Sequence, residues 1–139
     1  MKRRVKILLL VALIMFLLGK FVFSPYVVVG TSMMPTLRDM DLCLMRRTWH
    51  YRPARGDIVV FRTADAPPLR FVKRVVALPG ETVSISNGVV RIDGAPLREE
   101  YTERNPEWNL PATAVASNKV YVIGDHRAVS LSEIGRAHV

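Results

Sequence analysis

Ile7 to Leu18 is an unbroken run of 12 apolar residues, and Phe21, Val22 and Phe23 extend it beyond Gly19 and Lys20. As a helix, Val5 to Phe23 is about 28 Å long at 1.5 Å per residue. That length matches a hydrocarbon core of about 30 Å when Lys6 and Lys20 snorkel to the two interfaces. A cleavable signal peptide shares the basic start and the apolar run. However, Phe21, Val22, Phe23, Ser24 and Pro25 offer no small-x-small cleavage site, so a retained signal anchor is expected. The run is apolar all round, which argues against a peripheral amphipathic helix. Lys2, Arg3, Arg4 and Lys6 keep the amino end in the cytoplasm by the positive-inside rule. Two parts follow: residues 1–23 as cytoplasmic start and transmembrane anchor, and residues 24–139 as an extracytoplasmic domain at the cytoplasmic membrane.

The net charge of +8 suggests nucleic acid until its distribution is read. Five of those charges lie in residues 1–20, and the remaining +3 is spread among interleaved acidic and basic residues. Such a surface is solvated rather than phosphate-tracking, so nucleic acid is not an expected partner. A lone Cys43 excludes an internal disulfide and a multi-cysteine metal site. His50, His126 and His138 show no metal-ligand spacing.

From Ser24 onward the pattern is one of short strands and turns. Tyr26 to Val29 and Asp41 to Met45 read as strands, as do Ile58 to Phe61, Arg70 to Leu78 and Lys119 to Ile123. Asn87-Gly88 is the favoured two-residue type I′ hairpin turn. It sets Ile85 opposite Val90 and Val83 opposite Ile92, with Ser84 and Arg91 on the other face. Residues 95–118, rich in Pro, Asn and charge, read as a long irregular connection. The fold class expected is mainly β: a small antiparallel β-sheet or barrel-like domain after a single transmembrane helix.

Two residues stand out as candidate chemistry. Ser32 lies in Gly30-Thr31-Ser32-Met33-Met34-Pro35-Thr36, a composition that by itself describes an ordinary turn. In Phe71-Val72-Lys73-Arg74-Val75, alternation places Phe71, Lys73 and Val75 on one face and Val72, Arg74 and Val76 on the other. One of the two cations therefore lies among apolar side chains. An arginine there keeps its proton, whereas an ammonium in an apolar pocket is pushed toward the neutral amine. A neutral lysine can take a proton from a serine hydroxyl. Taken alone, Lys73 reads as a rim residue snorkelling to water.

Four stretches taken in order resemble the signature boxes of type I signal peptidases. They are Ser32 to Thr36, Gly56-Asp57-Ile58-Val59-Val60-Phe61, Lys73 to Glu81, and Gly124-Asp125-His126-Arg127-Ala128-Val129-Ser130. The resemblance implies a membrane-anchored Ser-Lys endopeptidase that removes signal peptides and needs no cofactor. Ser32 matches the nucleophile and Lys73 the general base. Ser130 matches the hydroxyl that orients the lysine, and the Ser32 backbone N–H matches an oxyanion donor. The implied partners are exported preproteins with small-x-small cleavage sites, together with membrane lipid. Met33, Met34 and Trp49 are candidates for an apolar rim, with Met33 and Met34 the candidate substrate contacts, although each also suits a core.

The chain departs from the family pattern at several points. Gly30 stands where some members carry a second oxyanion serine, and such a donor is worth several kcal/mol. His126 replaces the usual Asn, and Leu131-Ser132-Glu133-Ile134 does not match the Asp-Ser-Arg run that follows the supporting serine. Two other readings stay open. One is a client-specific Ser-Lys peptidase of the conjugation-pilin or organelle inner-membrane type. The other is an inactive, membrane-tethered β domain that binds peptides.

Overall fold

The computed structural model describes residues 2–48, 50–63, 67–102, 105 and 107–128. These fall into two units, residues 1–27 with 42–51 and residues 28–41 with 52–139.

In the first unit, α1 (Lys2–Val22) is a 21-residue helix with Lys20 in its last turn, where a cation meets the negative end of the helix dipole. It is long and apolar enough to cross a membrane. The chain passes straight into β1 (Phe23–Val27), which pairs antiparallel with β2 (Leu42–Arg46), Phe23 opposite Arg46 and Val27 opposite Leu42. The Arg47 N–H donates to the Val22 carbonyl (2.8 Å), tying the end of β2 to the last turn of the helix. β1 starts three residues earlier than the β-branched run at Tyr26 suggests. Pro25 does not prevent this, because a two-stranded sheet leaves one side of every strand unpaired. Ser24, Tyr26, Cys43 and Met45 are half-buried, while Phe23, Pro25, Val27, Leu42 and Leu44 form an exposed, largely apolar face that Arg46 shares.

The second unit carries β3 (Ile58–Arg62), β4 (Arg70–Ala77), β5 (Thr82–Ser86), β6 (Val89–Ile92), β7 (Ala95–Pro96), β8 (Leu110–Ala114) and β9 (Tyr121–Ile123). They form two antiparallel sheets, ordered β3-β4-β9 and β7-β6-β5-β8. The mainly β expectation holds, but the sheets stay open and no closed barrel forms among the described residues.

β4 links the two cores of this unit. Alternation along it is interrupted by a bulge between Val75 and Ala77, so Val75, Val76 and Ala77 are all buried. An extra residue at a bulge re-aims the side chains that follow it. Val75 packs with Phe61, Val120 and Val122, whereas Val76 and Ala77 join Val83, Ile85, Val90, Ile92, Trp108 and Leu110.

The β5–β6 hairpin has the register its turn predicts, Val83 opposite Ile92 and Ile85 opposite Val90, with those four side chains in the core. The irregular connection over 95–118 is corrected: it contains β7 and the edge strand β8. Pro111 and the exposure of all but Leu110 hide β8 from periodicity, and an edge strand with a register shift tolerates both. Asn87 (φ 48°) and Gly88 (φ 73°) form the hairpin turn, and a Cβ at residue 88 would overlap the Asn105 carbonyl. Gly88→Ala therefore adds a steric clash to a strained φ and is expected to cost about 1–3 kcal/mol, read as a lowered midpoint of thermal or urea unfolding. A variant as stable as the parent would show that the turn is not tightly specified.

Candidate active site

The candidate site lies within the second unit and begins with the loop between β1 and β2. This loop is closed at its base by Val28 N–H donating to the Asp41 carbonyl and Met40 N–H to the Val28 carbonyl, both at 2.9 Å. Gly30 adopts φ +98°, and its N–H donates to Asp39 Oδ1 (2.7 Å). One turn of helix-like geometry follows, with Leu37 N–H donating to the Met33 carbonyl (2.9 Å). Met33 is 1% exposed and anchors the loop. Met34 is 37% exposed. Ser32 is half-buried, and no hydrogen bond occupies its backbone N–H among the described residues.

β4 supplies the lysine. Lys73 faces inward, opposite Val59 of β3, and is only 4% exposed. On its other side β9 pairs Ile123 with Arg74, which brings Gly124, the next residue, alongside Lys73. The Ser32 backbone carbonyl and the Lys73 amine both lie close to Gly124. A Cβ added there would overlap the Ser32 carbonyl oxygen and stand 3.4 Å from Lys73 Nζ. The His126 N–H donates to that same Ser32 carbonyl (3.1 Å), holding the serine loop against the segment after β9. Burial pushes the Lys73 ammonium below the ordinary lysine range, while the Asp125 carboxylate pulls it part of the way back. No carboxylate forms an ion pair with Lys73 among the described residues.

The charge of Asp125 is instead committed to Arg74. Arg74 Nε and Nη2 donate to the two carboxylate oxygens at 2.9 and 2.6 Å, the paired geometry that favours arginine over lysine. Thr36 Oγ1 donates to Oδ2 at 2.5 Å, and Arg74 Nη1 donates to the Gly56 carbonyl at 2.9 Å. Asp125 is 1% exposed. The adjacent cations of β4 thus take different tasks: Lys73 is left without a counter-ion, while Arg74 ties together the loop bearing Ser32, the Gly56 turn and the segment after β9.

Sequence reasoning brought out Ser32 and Lys73, and the structure brings both to Gly124. It assigned no role to Asp125, Thr36 or Arg74, although all three lie inside the quoted boxes. The signal available was the neighbouring pairs Lys73-Arg74 and Gly124-Asp125, on strands whose pairing the sequence does not reveal. His126 acts here through its backbone, and its buried Nδ1 has no hydrogen-bond partner among the described residues. Ser130 and Trp49 lie outside the described residues. Gly30 leaves room for a Cβ, but its φ of +98° disfavours a serine there.

The family model described as signal peptidase, peptidase S26, matches residues 1–132, and the chain belongs to that family. It is 42% identical to a probable signal peptidase I-1 of Synechocystis sp., over 86% of this chain and 66% of the relative. A signal peptidase I of Leptolyngbya laminosa is 37% identical over 77% of this chain and 57% of its own length. Signal peptidase I T of Bacillus subtilis is 30% identical over 91% of this chain and 71% of its own length. The chain therefore spans just under two thirds of the length of the first of these and less of the second.

The Arg74–Asp125 pair carries a stability prediction. Arg74→Met leaves a buried carboxylate uncompensated and is expected to cost about 3–5 kcal/mol in urea unfolding. A loss under about 1 kcal/mol would mean that the pair does not hold these segments together.

Proposed function

We propose that this chain is a membrane-anchored serine endopeptidase that removes signal peptides from exported preproteins with a Ser32–Lys73 dyad. The observation that carries the reading is the convergence of the Ser32 carbonyl and Lys73 Nζ on Gly124, in a chain of the peptidase S26 family. The Lys73 amine, whose pKa burial lowers, accepts the Ser32 hydroxyl proton as the oxygen attacks the carbonyl of the last residue of a small-x-small segment. The Ser32 N–H donates to the developing oxyanion. The protonated lysine passes its proton to the leaving amine. Water, deprotonated by the same amine, then attacks the acyl carbonyl, and the lysine ammonium returns that proton to the Ser32 oxygen as the acyl group leaves. Ser130 orients Lys73, and Met34 contacts the peptide, which adds as an extended strand.

α1 anchors the chain with its basic end in the cytoplasm and residues 24–139 on the outer face of the membrane. The exposed apolar face of the β1–β2 hairpin, continuous with α1, supports lipid contact at that surface.

Ser32→Ala and Lys73→Ala are each expected to lower preprotein cleavage by at least about a thousandfold, measured by release of mature product in detergent or vesicles. If either variant cuts at the parental rate, the dyad is wrong. A chain that cuts one partner and ignores generic preproteins is the client-specific enzyme instead.

The pH profile gives an independent check. Only the neutral amine is a base, so kcat/KM rises with pH through the Lys73 pKa, and burial sets that rise below the ordinary lysine range. The carboxylate of Asp125 raises this pKa, so Asp125→Asn, measured on its folded fraction, moves the acid limb to lower pH. An acid limb at the value of a solvated lysine would count against a buried base.

A further inference from the structure

Arg127 is 2% exposed, yet it lies outside the dyad and the Arg74–Asp125 pair. Its Nε donates to the Gly124 carbonyl (2.7 Å), the carbonyl of the residue on which Ser32 and Lys73 converge. Its Nη2 reaches Glu99 Oε1 at 2.6 Å, with the Glu99 side chain only 9% exposed, and its guanidinium lies 5.4 Å from the centre of the buried Trp108 ring. Glu99 comes from the connection between β7 and β8, outside all four boxes. Two further residues of that connection turn toward the same place. The Tyr101 hydroxyl donates to Glu99 Oε1 (3.0 Å), and its ring stacks 3.9 Å beneath the Arg74 guanidinium. The Thr102 hydroxyl donates to the Asp125 carbonyl.

A buried ion pair adds little net stability, because desolvation offsets most of its attraction. What this one provides is position. Without Glu99 the Arg127 fork has no counter-ion to fix it, and the Gly124 carbonyl loses a rigid donor. Burial and the neighbouring Glu99 hold the Tyr101 hydroxyl protonated, so it remains a donor to the carboxylate.

We propose that Glu99 is a positioning residue for the catalytic centre: through Arg127 it holds the Gly124 carbonyl, and with it the approach of Ser32 to Lys73. This rests on the Ser-Lys reading above. A displacement of about 1 Å at such a centre costs on the order of a hundredfold in rate. The hydrogen bonds of Glu99 go to Arg127 and Tyr101 and not to Ser32 or Lys73, so its loss is expected in kcat rather than in KM.

The test uses the full chain in detergent, comparing the parent with Glu99→Gln. Two readouts are taken: steady-state cleavage of a signal-peptide substrate, and hydrogen exchange of the His126 amide, which is bonded to the Ser32 carbonyl. The expected result is a kcat lowered at least tenfold with KM within twofold, together with His126 exchange at least tenfold faster. The proposal is overturned if kcat or His126 exchange stays within twofold of the parent. An inactive parent overturns the Ser-Lys reading, and His126 exchange alone then decides whether Glu99 holds this segment. If Glu99→Gln loses its cooperative melt, Tyr101→Phe, which removes one hydrogen bond from Glu99, is judged in its place. It is expected to change both readouts about threefold in the same directions, and no change overturns the proposal.

Discussion

The close approach at Gly124 is the constraint on which the site depends. Three features meet around one missing side chain: the Ser32 carbonyl, the Lys73 amine and the backbone segment that leaves β9. Any Cβ at this position would push the serine loop away from the strand that carries the lysine. Its carbonyl is held from behind by Arg127, and the next residue, Asp125, is gripped by Arg74 and Thr36. The serine loop is therefore fixed on several sides by groups that do not react. Strong, paired charges surround the site, while the buried Lys73 ammonium forms no ion pair among the described residues. That division leaves burial as the larger influence on the lysine, with Asp125 opposing it.

The two cations of β4 illustrate how a two-residue period becomes chemistry. Alternation sends adjacent side chains to opposite faces, and the two faces have unlike surroundings. Arginine, always protonated, suits the face where a carboxylate and a carbonyl wait. Lysine, whose proton is easily lost when desolvated, suits the apolar side. Exchanging the two would put a permanent charge in the apolar site and a single ammonium where a two-pronged contact is needed.

Much of this was legible in the sequence because it depends on local rules. The Asn87-Gly88 turn fixed its own hairpin register, and alternation alone narrowed the inward cation to Lys73 or Arg74. The transmembrane-length run stood out by its composition. What stayed hidden depends on contacts between distant segments. The pairing of β4 with β9 brings Asp125 to Arg74, but no periodic signal joins residues 51 positions apart. β8 was missed because an exposed edge strand with a proline carries neither alternation nor strong propensity. Glu99 and Tyr101 looked like ordinary polar loop residues, since nothing local distinguishes a solvated carboxylate from one that meets a buried arginine. Counting strands gave the small antiparallel sheets but could not tell whether a sheet closes.

The bulge in β4 also limits how this strand can change in length. Upstream of it, a one-residue insertion or deletion would exchange the two faces, turning the guanidinium inward and setting a single ammonium against Asp125. Downstream, the same change would spare Lys73 but rotate Val76 and Ala77 out of the core they share with the β5–β6 hairpin. The strand is thus read in two frames, with the bulge as the junction between them. Changes in chain length can be absorbed in the turn between β3 and β4, and not within β4 itself.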